Sequence, residues 1–452
     1  MNRITRRRFV QALGAGGLSY ALGRTPGTVW AQAAGTAGFG DYKALVCVFL
    51  VGGNDSWSMV VPRSAAEYDA YARSRQNLAI PRDELLPVEA MNGEGVLFGL
   101  HPSMAGIAGL FESARCAVVA NVGPLVVPTT KAQYQAQSVP LPPQLFSHND
   151  QQDQWHSLRG RTVSKSGWAG RIADVLAGEV AGQQLALNVS LSGNTLFQAG
   201  TSATPYVMGP AGATTFTGLG SAGGQPARKA SFQAVVDASY GTIYERGYAA
   251  VQKRALRHAE LVNDALAAAP PLATPFPEDS PLATQLQTVA RMIAVRERLR
   301  MSRQVFFVAT GGFDTHDEQL QDQPGLLGNV SDSLAAFHRA TVELGVASSV
   351  TTFTQSDFGR TLTSNGDGSD HAWGGVQLVI GDGVRGRTIY GRYPTLEIGG
   401  PEDVGGGRFI PAVSSDQYAA TLARWFGVTD GQLGTVAPSL GNFAQKDLRF
   451  LI

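Results

Sequence analysis

Ala44-Leu45-Val46-Cys47-Val48-Phe49-Leu50-Val51 is a continuous apolar run that ends in Gly52-Gly53. An uninterrupted run of this length reads as a strand buried on both faces, which is how strands of a parallel sheet appear. Further runs of the same kind lie at Cys116 to Val122, Val305 to Ala309, Val350 to Thr354 and Val376 to Ile380. Helical patterns lie between or after them: His101 to about Ser113, 230–268, 281–302, Leu326 to Leu344, and an amphipathic closing stretch from Ser415 to Phe426. Strands alternating with helices predict an α/β fold, a mostly parallel central sheet covered by helices on both faces. The region 125–170 is loop-rich, with Pro140, Pro142 and Pro143. Residues 182–224 are rich in Gly, Ser, Thr and Ala, with a short alternating run from Leu185 to Leu191. They predict a small β or irregular insertion at about 182–230 in a single domain spanning 44–452.

Composition agrees with an enzyme-sized globular fold. The chain has 452 residues, 44% of them hydrophobic and 16% charged, with 54 glycines and 23 prolines. That glycine and proline content argues against a helical array. The N-terminus carries Thr5-Arg6-Arg7-Arg8-Phe9-Val10-Gln11, a mildly apolar stretch from Val10 to Leu22, and Ala31-Gln32-Ala33. These are the parts of a twin-arginine export signal with an A-x-A cleavage site, so residues 1–33 are expected to be removed. The twin-arginine translocase is then a partner during export, and the mature chain is expected in the periplasm or outside the cell. A flexible leader is expected at 34–43. Without the five signal arginines the chain has 31 basic and 36 acidic residues, a net charge of −5. No basic run comes after the signal, which argues against nucleic acid as a partner. No later apolar run reaches the roughly 18 residues a membrane span needs. Cys47 and Cys116 both sit in buried-strand runs and are expected as free core thiols; with no CxxC, a thiolate zinc site is excluded.

In open α/β sheets, ligands bind beyond the carboxyl ends of the strands. The segment after each strand is therefore informative. The first strand ends in Gly52-Gly53-Asn54-Asp55-Ser56. The second leads on to Phe146-Ser147-His148-Asn149-Asp150. VFFVA ends in Thr310-Gly311-Gly312-Phe313-Asp314-Thr315-His316. The Val350 strand ends in Gln355-Ser356-Asp357-Phe358-Gly359-Arg360, and Gly368-Ser369-Asp370-His371-Ala372-Trp373-Gly374-Gly375 precedes the last strand. Asp and His without thiolate form the ligand set of zinc, manganese, magnesium or calcium. Asp314 and His316 are two apart, so in extended backbone they point to one side. Asp55, Asp314, His316, Asp357 and His371 are thus five candidate ligands at one edge. Each aspartate also has a plain reading as a turn or N-cap residue, and Asp370 as an Asx turn. His101 and His338 have helical, structural contexts. No GxxxxGK[ST] loop, GxSxG elbow or HExxH helix is present.

Together the Asp55 loop, Ser147-His148, GGFDTH, SDFGRT, GSDHAWGG and the final Gln417-Tyr418 to Trp425-Phe426 helix resemble the domain of unknown function 1501 family. The resemblance covers about 44–450. That family is similar to the alkaline phosphatase and sulfatase superfamily, an α/β sandwich whose sites hold one or two divalent metals and a Ser, Thr or formylglycine nucleophile. The resemblance implies Asp55 as the ligand after the first strand, Asp314, His316 and His371 at one metal site, and Asp357 at a second. The superfamily commonly has a liganding His after that last Asp; here Phe358 stands there, and His148 is the available substitute. Ser147 falls roughly where a nucleophile belongs. Neither cysteine lies in a C-x-P-S-R setting, which argues against formylglycine. Arg360 is a candidate to hold an anionic group bidentately, or to pair with a carboxylate and fix its loop. The function so implied is an exported metal-dependent hydrolase of phosphate or sulfate esters, with a small-molecule or glycan ester as substrate. The alternatives are a binding or assembly protein on a degenerate scaffold, and a phosphoglycan or lipid headgroup transferase.

Overall fold

The computed structural model describes residues 38–452 apart from positions 94, 161, 215 and 221. The expected signal peptide, residues 1–33, lies outside them. In chain order the strands are β1 (Lys43–Leu50), β2 (Val60–Pro62), β3 (Leu86–Val88), β4 (Phe98–Leu100), β5 (Cys116–Gly123) and β6 (Asn188–Ser190). They continue as β7 (Tyr206–Val207), β8 (Arg303–Thr310), β9 (Val350–Ser356), β10 (Gly375–Ile380), β11 (Ile389–Tyr390) and β12 (Val413–Ser414). Nine of these strands make the central sheet, in the order β11-β5-β10-β9-β1-β8-β6-β7 with β12 also on β5; β2, β4 and β3 form a separate small sheet.

β1 pairs in parallel with both β8 and β9, at the centre of the sheet. β10 alone runs the other way, antiparallel to β9 and to β5. The reversal decides where the chemistry lies. β10 begins at the edge where β1, β8 and β9 end, so the segment before β10 meets the segments after the other three.

The helices are α1 (Ala65–Arg75), α2 (Ala105–Glu112), α3 (Lys131–Ala136), α4 (His148–Ser157), α5 (Trp168–Val175) and α6 (Gln225–Asp237). After them come α7 (Ile243–Ala267), α8 (Pro281–Ala294), α9 (Gln319–Glu343), α10 (Ser415–Phe426) and α11 (Leu433–Val436). Side chains of β1 alternate between two cores, as the pleat requires. Ala44, Val46, Val48 and Leu50 enter the core under α2, α8 and α9. Leu45, Cys47 and Phe49 enter the core under α4, α5, α10 and α11. The continuous apolar run is explained by this two-sided burial. Both cysteines are free and buried. No described helix is long and apolar enough to cross a membrane.

Three expectations change. The stretch from Leu185 to Leu191 is not part of an insertion: β6 pairs in parallel with β8, and β7 with β6, so both extend the central sheet. The strands have only three and two residues, too few to show a period. Residues 38–42 are not a loose leader either. Asp41 pairs with Arg303 at 2.8 Å, the Arg303 guanidinium stacks 3.7 Å from the Phe39 ring, and the Tyr42 hydroxyl donates to Gln304 Oε1. Finally, α9 starts at Gln319 rather than Leu326 and carries Pro324 inside it.

Candidate metal centre

Four loops converge at the C-terminal edge of the sheet, and glycines let them meet. Gly52 has φ 117°, and a Cβ there would lie 2.4 Å from the Asp314 backbone nitrogen. The segments 357–361 and 370–374 are zipped into a ribbon by an isolated bridge between Arg360 and His371. Thr361 N donates to Asp370 O at 2.8 Å and Ala372 N to Gly359 O at 2.9 Å. The ribbon holds Asp357 and His371 beside each other. His148 arrives separately, as the first residue of α4.

Asp314 Oδ1 is the centre of the cluster. It lies 3.4 Å from His148 Nε2, 3.2 Å from His316 Nε2 and 3.4 Å from His371 Nε2. His371 Nε2 is in turn 3.0 Å from His148 Nε2 and 2.8 Å from His316 Nε2. Ligand atoms of His148, Asp314 and His371 all fall within 4.8 Å of one another. Each imidazole is held from behind. His148 Nδ1 donates to Asp357 Oδ2 at 2.7 Å, His371 Nδ1 to the Phe146 carbonyl at 2.8 Å, and His316 Nδ1 faces Asp370 Oδ1 at 3.3 Å. A carbonyl and carboxylates only accept, so the protons sit on Nδ1. The Nε2 atoms then face one another and a carboxylate oxygen, an arrangement that either a proton shared between rings or a bound cation satisfies. Acceptors that fix the tautomer of each histidine are the usual outer partners of metal-ligating imidazoles.

The charges agree. Asp314 pairs with the Arg360 guanidinium, while Asp357 faces His148 and Asp370 faces His316. Carboxylates and imidazoles converging in this way form a donor set that suits a divalent ion. Burial would raise the Asp314 carboxyl, but the hydrogen bond and charge of Arg360 outweigh it and hold the group below its ordinary value. Burial raises Asp357, against the His148 hydrogen bond. Asp357 is 2% exposed, and its Oδ1 is sealed without a hydrogen-bond partner. Burial also lowers His371, favouring the neutral ring that ligation needs.

Of the sequence candidates, Asp314, His316, Asp357, His371 and His148 meet. His148, which the sequence offers as the substitute ligand, joins the cluster. Phe358 fills the place beside it, its ring centroid 4.7 Å from those of both His148 and His371.

Asp55 does not join them. Its side chain is wholly buried in an ion pair with Arg75. Gln319 Nε2, Ser58 Oγ and the Trp57 N–H also donate to its carboxylate, which leaves no lone pair to face the cluster. Arg360 is fully buried and is no anion clamp. It donates to the carbonyls of Ser369, Gly52 and Phe313 and to Asp314, so it fixes the loop. The Ser147 hydroxyl donates to Asp150 Oδ2 at 2.6 Å. Asp370 and the Phe146 carbonyl are the parts that sequence reasoning misses. Asp370 stands beside His371, where the sequence suggests only an Asx turn, and a backbone carbonyl leaves no sequence signal.

The chain matches no curated protein. Among solved structures it is similar to the lipoteichoic acid synthase of Listeria monocytogenes, at 7% identity and TM-score 0.37, covering 86% of this chain and 73% of that one. It is also similar to a protein crystallised with a neocarrahexaose, at 11% identity and TM-score 0.33, covering 87% and 74%. A protein from a glycosaminoglycan-metabolising locus of Bacteroides thetaiotaomicron matches at 10% identity and TM-score 0.32, covering 88% and 74%. The profile of the family described as protein of unknown function DUF1501 matches residues 42–432, and the chain belongs to that family.

Proposed function

We propose that this chain is an exported, metal-dependent hydrolase of phosphate or sulfate esters. The observation that carries the reading is the convergence of three imidazole Nε2 atoms on Asp314 Oδ1, with an acceptor behind every ring. His148, Asp314 and His371 would hold one divalent ion, His316 would complete its shell, and Asp357 would orient the His148 ring from behind. An N₃O donor set accommodates zinc or manganese. A divalent ion in such a shell polarises the ester oxygens and offsets the charge that builds on them.

The chain's own groups account for the rest. The ten-residue helix α4 begins at the cluster, so its N-terminal end favours an anionic group there. Ser147 at its cap position is the side chain to test as nucleophile. Asp150 would take the hydroxyl proton as Oγ bonds to phosphorus or sulfur. The ester P–O or S–O bond would break, and the proton would pass to the departing alkoxide. Water would then cleave the seryl ester, releasing phosphate or sulfate and restoring Ser147. Folded-state export suits a site assembled from distant segments, since it exists only once the chain has folded.

The test uses mature protein with measured metal content, assayed on aryl phosphate and aryl sulfate esters. Bound metal and turnover, both lost in the Asp314→Ala/His316→Ala variant, support the reading. Metal-free protein, or full turnover in that variant, overturns it. One observation favours the second reading, a binding or assembly protein: Arg360, the arginine paired with Asp314, is locked among carbonyls and is not free to clamp an anion. Stoichiometric metal with no turnover on any ester would select it.

A further inference from the structure

Helix α4 carries more than His148. His148, Gln152 and His156 are spaced four apart and share one face of the helix. The first reaches the metal centre. The other two line a cavity of about 240 Å³ beyond the ends of β1, β8 and β6, where Val51, Ala309 and Ser192 also line it. That is the edge at which α/β sheets take ligands. Gln152 lies one helical turn from His148, about 5–6 Å, so a molecule in this cavity would adjoin the centre.

The lining has two characters. Phe49, Phe307 and Leu196 make an apolar floor, and Gln152, Asp153, Asn194 and Thr195 supply polar groups. Between floor and rim sits His156, 5% exposed, with its ring 4.8 Å from Phe49 and 5.8 Å from Phe307. Its Nε2 is buried without a hydrogen-bond partner. A buried polar atom left unpaired is costly, and such atoms mark places where a ligand or water completes the bonding. Burial also pushes the His156 pKa down to about 3, so the ring stays neutral and pairs with neutral polar groups. The lining holds no cationic side chain, and the Asp153 carboxylate at the rim opposes an anion.

An apolar floor under a rim of amide, hydroxyl and carboxylate groups matches a ring with an apolar face and a hydroxylated edge. The volume lies just under the usual ~300–1,000 Å³ range of ligand sites, room for one small ring. We infer that this cavity is a subsite for one uncharged pyranose ring, the alcohol half of the ester cleaved at the adjoining centre. The role of the ring as substrate rests on the hydrolase reading; the binding does not.

Saturation-transfer NMR on the full mature protein tests it, with methyl β-galactopyranoside and methyl β-N-acetylglucosaminide as probes and cyclohexanol as the apolar control. Transfer to at least one pyranoside and not to cyclohexanol is expected. Gln152→Ala, Asn194→Ala and His156→Phe should each weaken binding about tenfold, while His371→Ala should retain it. No transfer to either pyranoside, or equal transfer in all three cavity variants, overturns the inference. The probes carry no ester, so that failure leaves the hydrolase reading standing. Inactivity on esters with intact pyranoside binding would sink the hydrolase reading alone.

Discussion

His148 Nε2 faces His371 Nε2 at 3.0 Å, while the opposite nitrogen of each ring donates to Asp357 and to the Phe146 carbonyl. On the proposed metal reading a cation lies between these two nitrogens. Elemental analysis should therefore find one equivalent of a divalent metal per chain rather than two, since Asp55 is engaged by Arg75 and Phe358 cannot ligate. His371→Ala should lose the metal. If the ion binds only the folded chain, chelation should lower stability by about 4 kcal/mol where free metal had been at a thousandfold its Kd. A shift in melting temperature on adding EDTA reads this directly. Two equivalents in wild type, or metal retained in His371→Ala, would contradict the arrangement.

The Asp55–Arg75 pair is a structural brace under the first loop. Arg75 also donates to the carbonyls of Thr361 and Leu362 and so joins α1 to the ribbon that carries His371. Removing one partner of a buried pair leaves an uncompensated charge, which typically costs about 3–5 kcal/mol. Arg75→Met should be destabilised by that order in urea unfolding. Asp55→Asn/Arg75→Met should recover much of the loss, because no charge is then stranded. An additive double mutant would mean that the two residues do not act as a pair.

Acid sensitivity should trace to buried histidines. Burial lowers His156 to about 3 and His101 to about 4 from 6.5. A folded pKa below the unfolded one means that the unfolded chain binds more protons in the interval. Stability from these residues is thus fully present above pH 6.5 and is lost as the pH falls toward 4 and then 3. Each contributes a slope of up to about 1.4 kcal/mol per pH unit inside its window. Unfolding free energy measured from about pH 7 to pH 4 should fall less steeply in His156→Phe than in wild type. Identical slopes would show that His156 does not titrate with unfolding.

The sequence made the central strands legible because burial on both faces removes polar residues from them, and it made the loops legible because their glycines flank acids and histidines. Strand direction was not legible. The run from Val376 to Ile380 reads the same either way, yet its reversal is what carries His371 to the shared edge. The partner of Asp55 was also hidden: Arg75 lies on a helix of ordinary composition, and no local pattern announces a tertiary ion pair. Asp55 and Asp357 look alike in sequence, each after a strand and two residues from a glycine. Only the helix packed over the first, and the His148 ring placed over the second, separate a structural carboxylate from one that serves the site.

Gly53 links backbone freedom to the metal centre. It has φ 81°, and a Cβ there would lie 2.2 Å from the Phe358 ring. Phe358 in turn packs on both His148 and His371. Gly53→Ala therefore faces two obstacles, a left-handed conformation that L side chains rarely adopt and a collision that can be relieved only by moving the ring. Displacing Phe358 would shift the imidazoles it supports, and small misplacements of ligands typically reduce metal affinity about 10–100-fold, as loss of outer-shell support does. Gly53→Ala should thus bind metal more weakly in a competition titration with a chelator. Adding Phe358→Leu clears the collision without restoring the backbone preference, so the double variant should regain part of the affinity and remain less stable than wild type. If the second substitution restores nothing, the weakened binding comes from the backbone of the loop and not from the Phe358 ring.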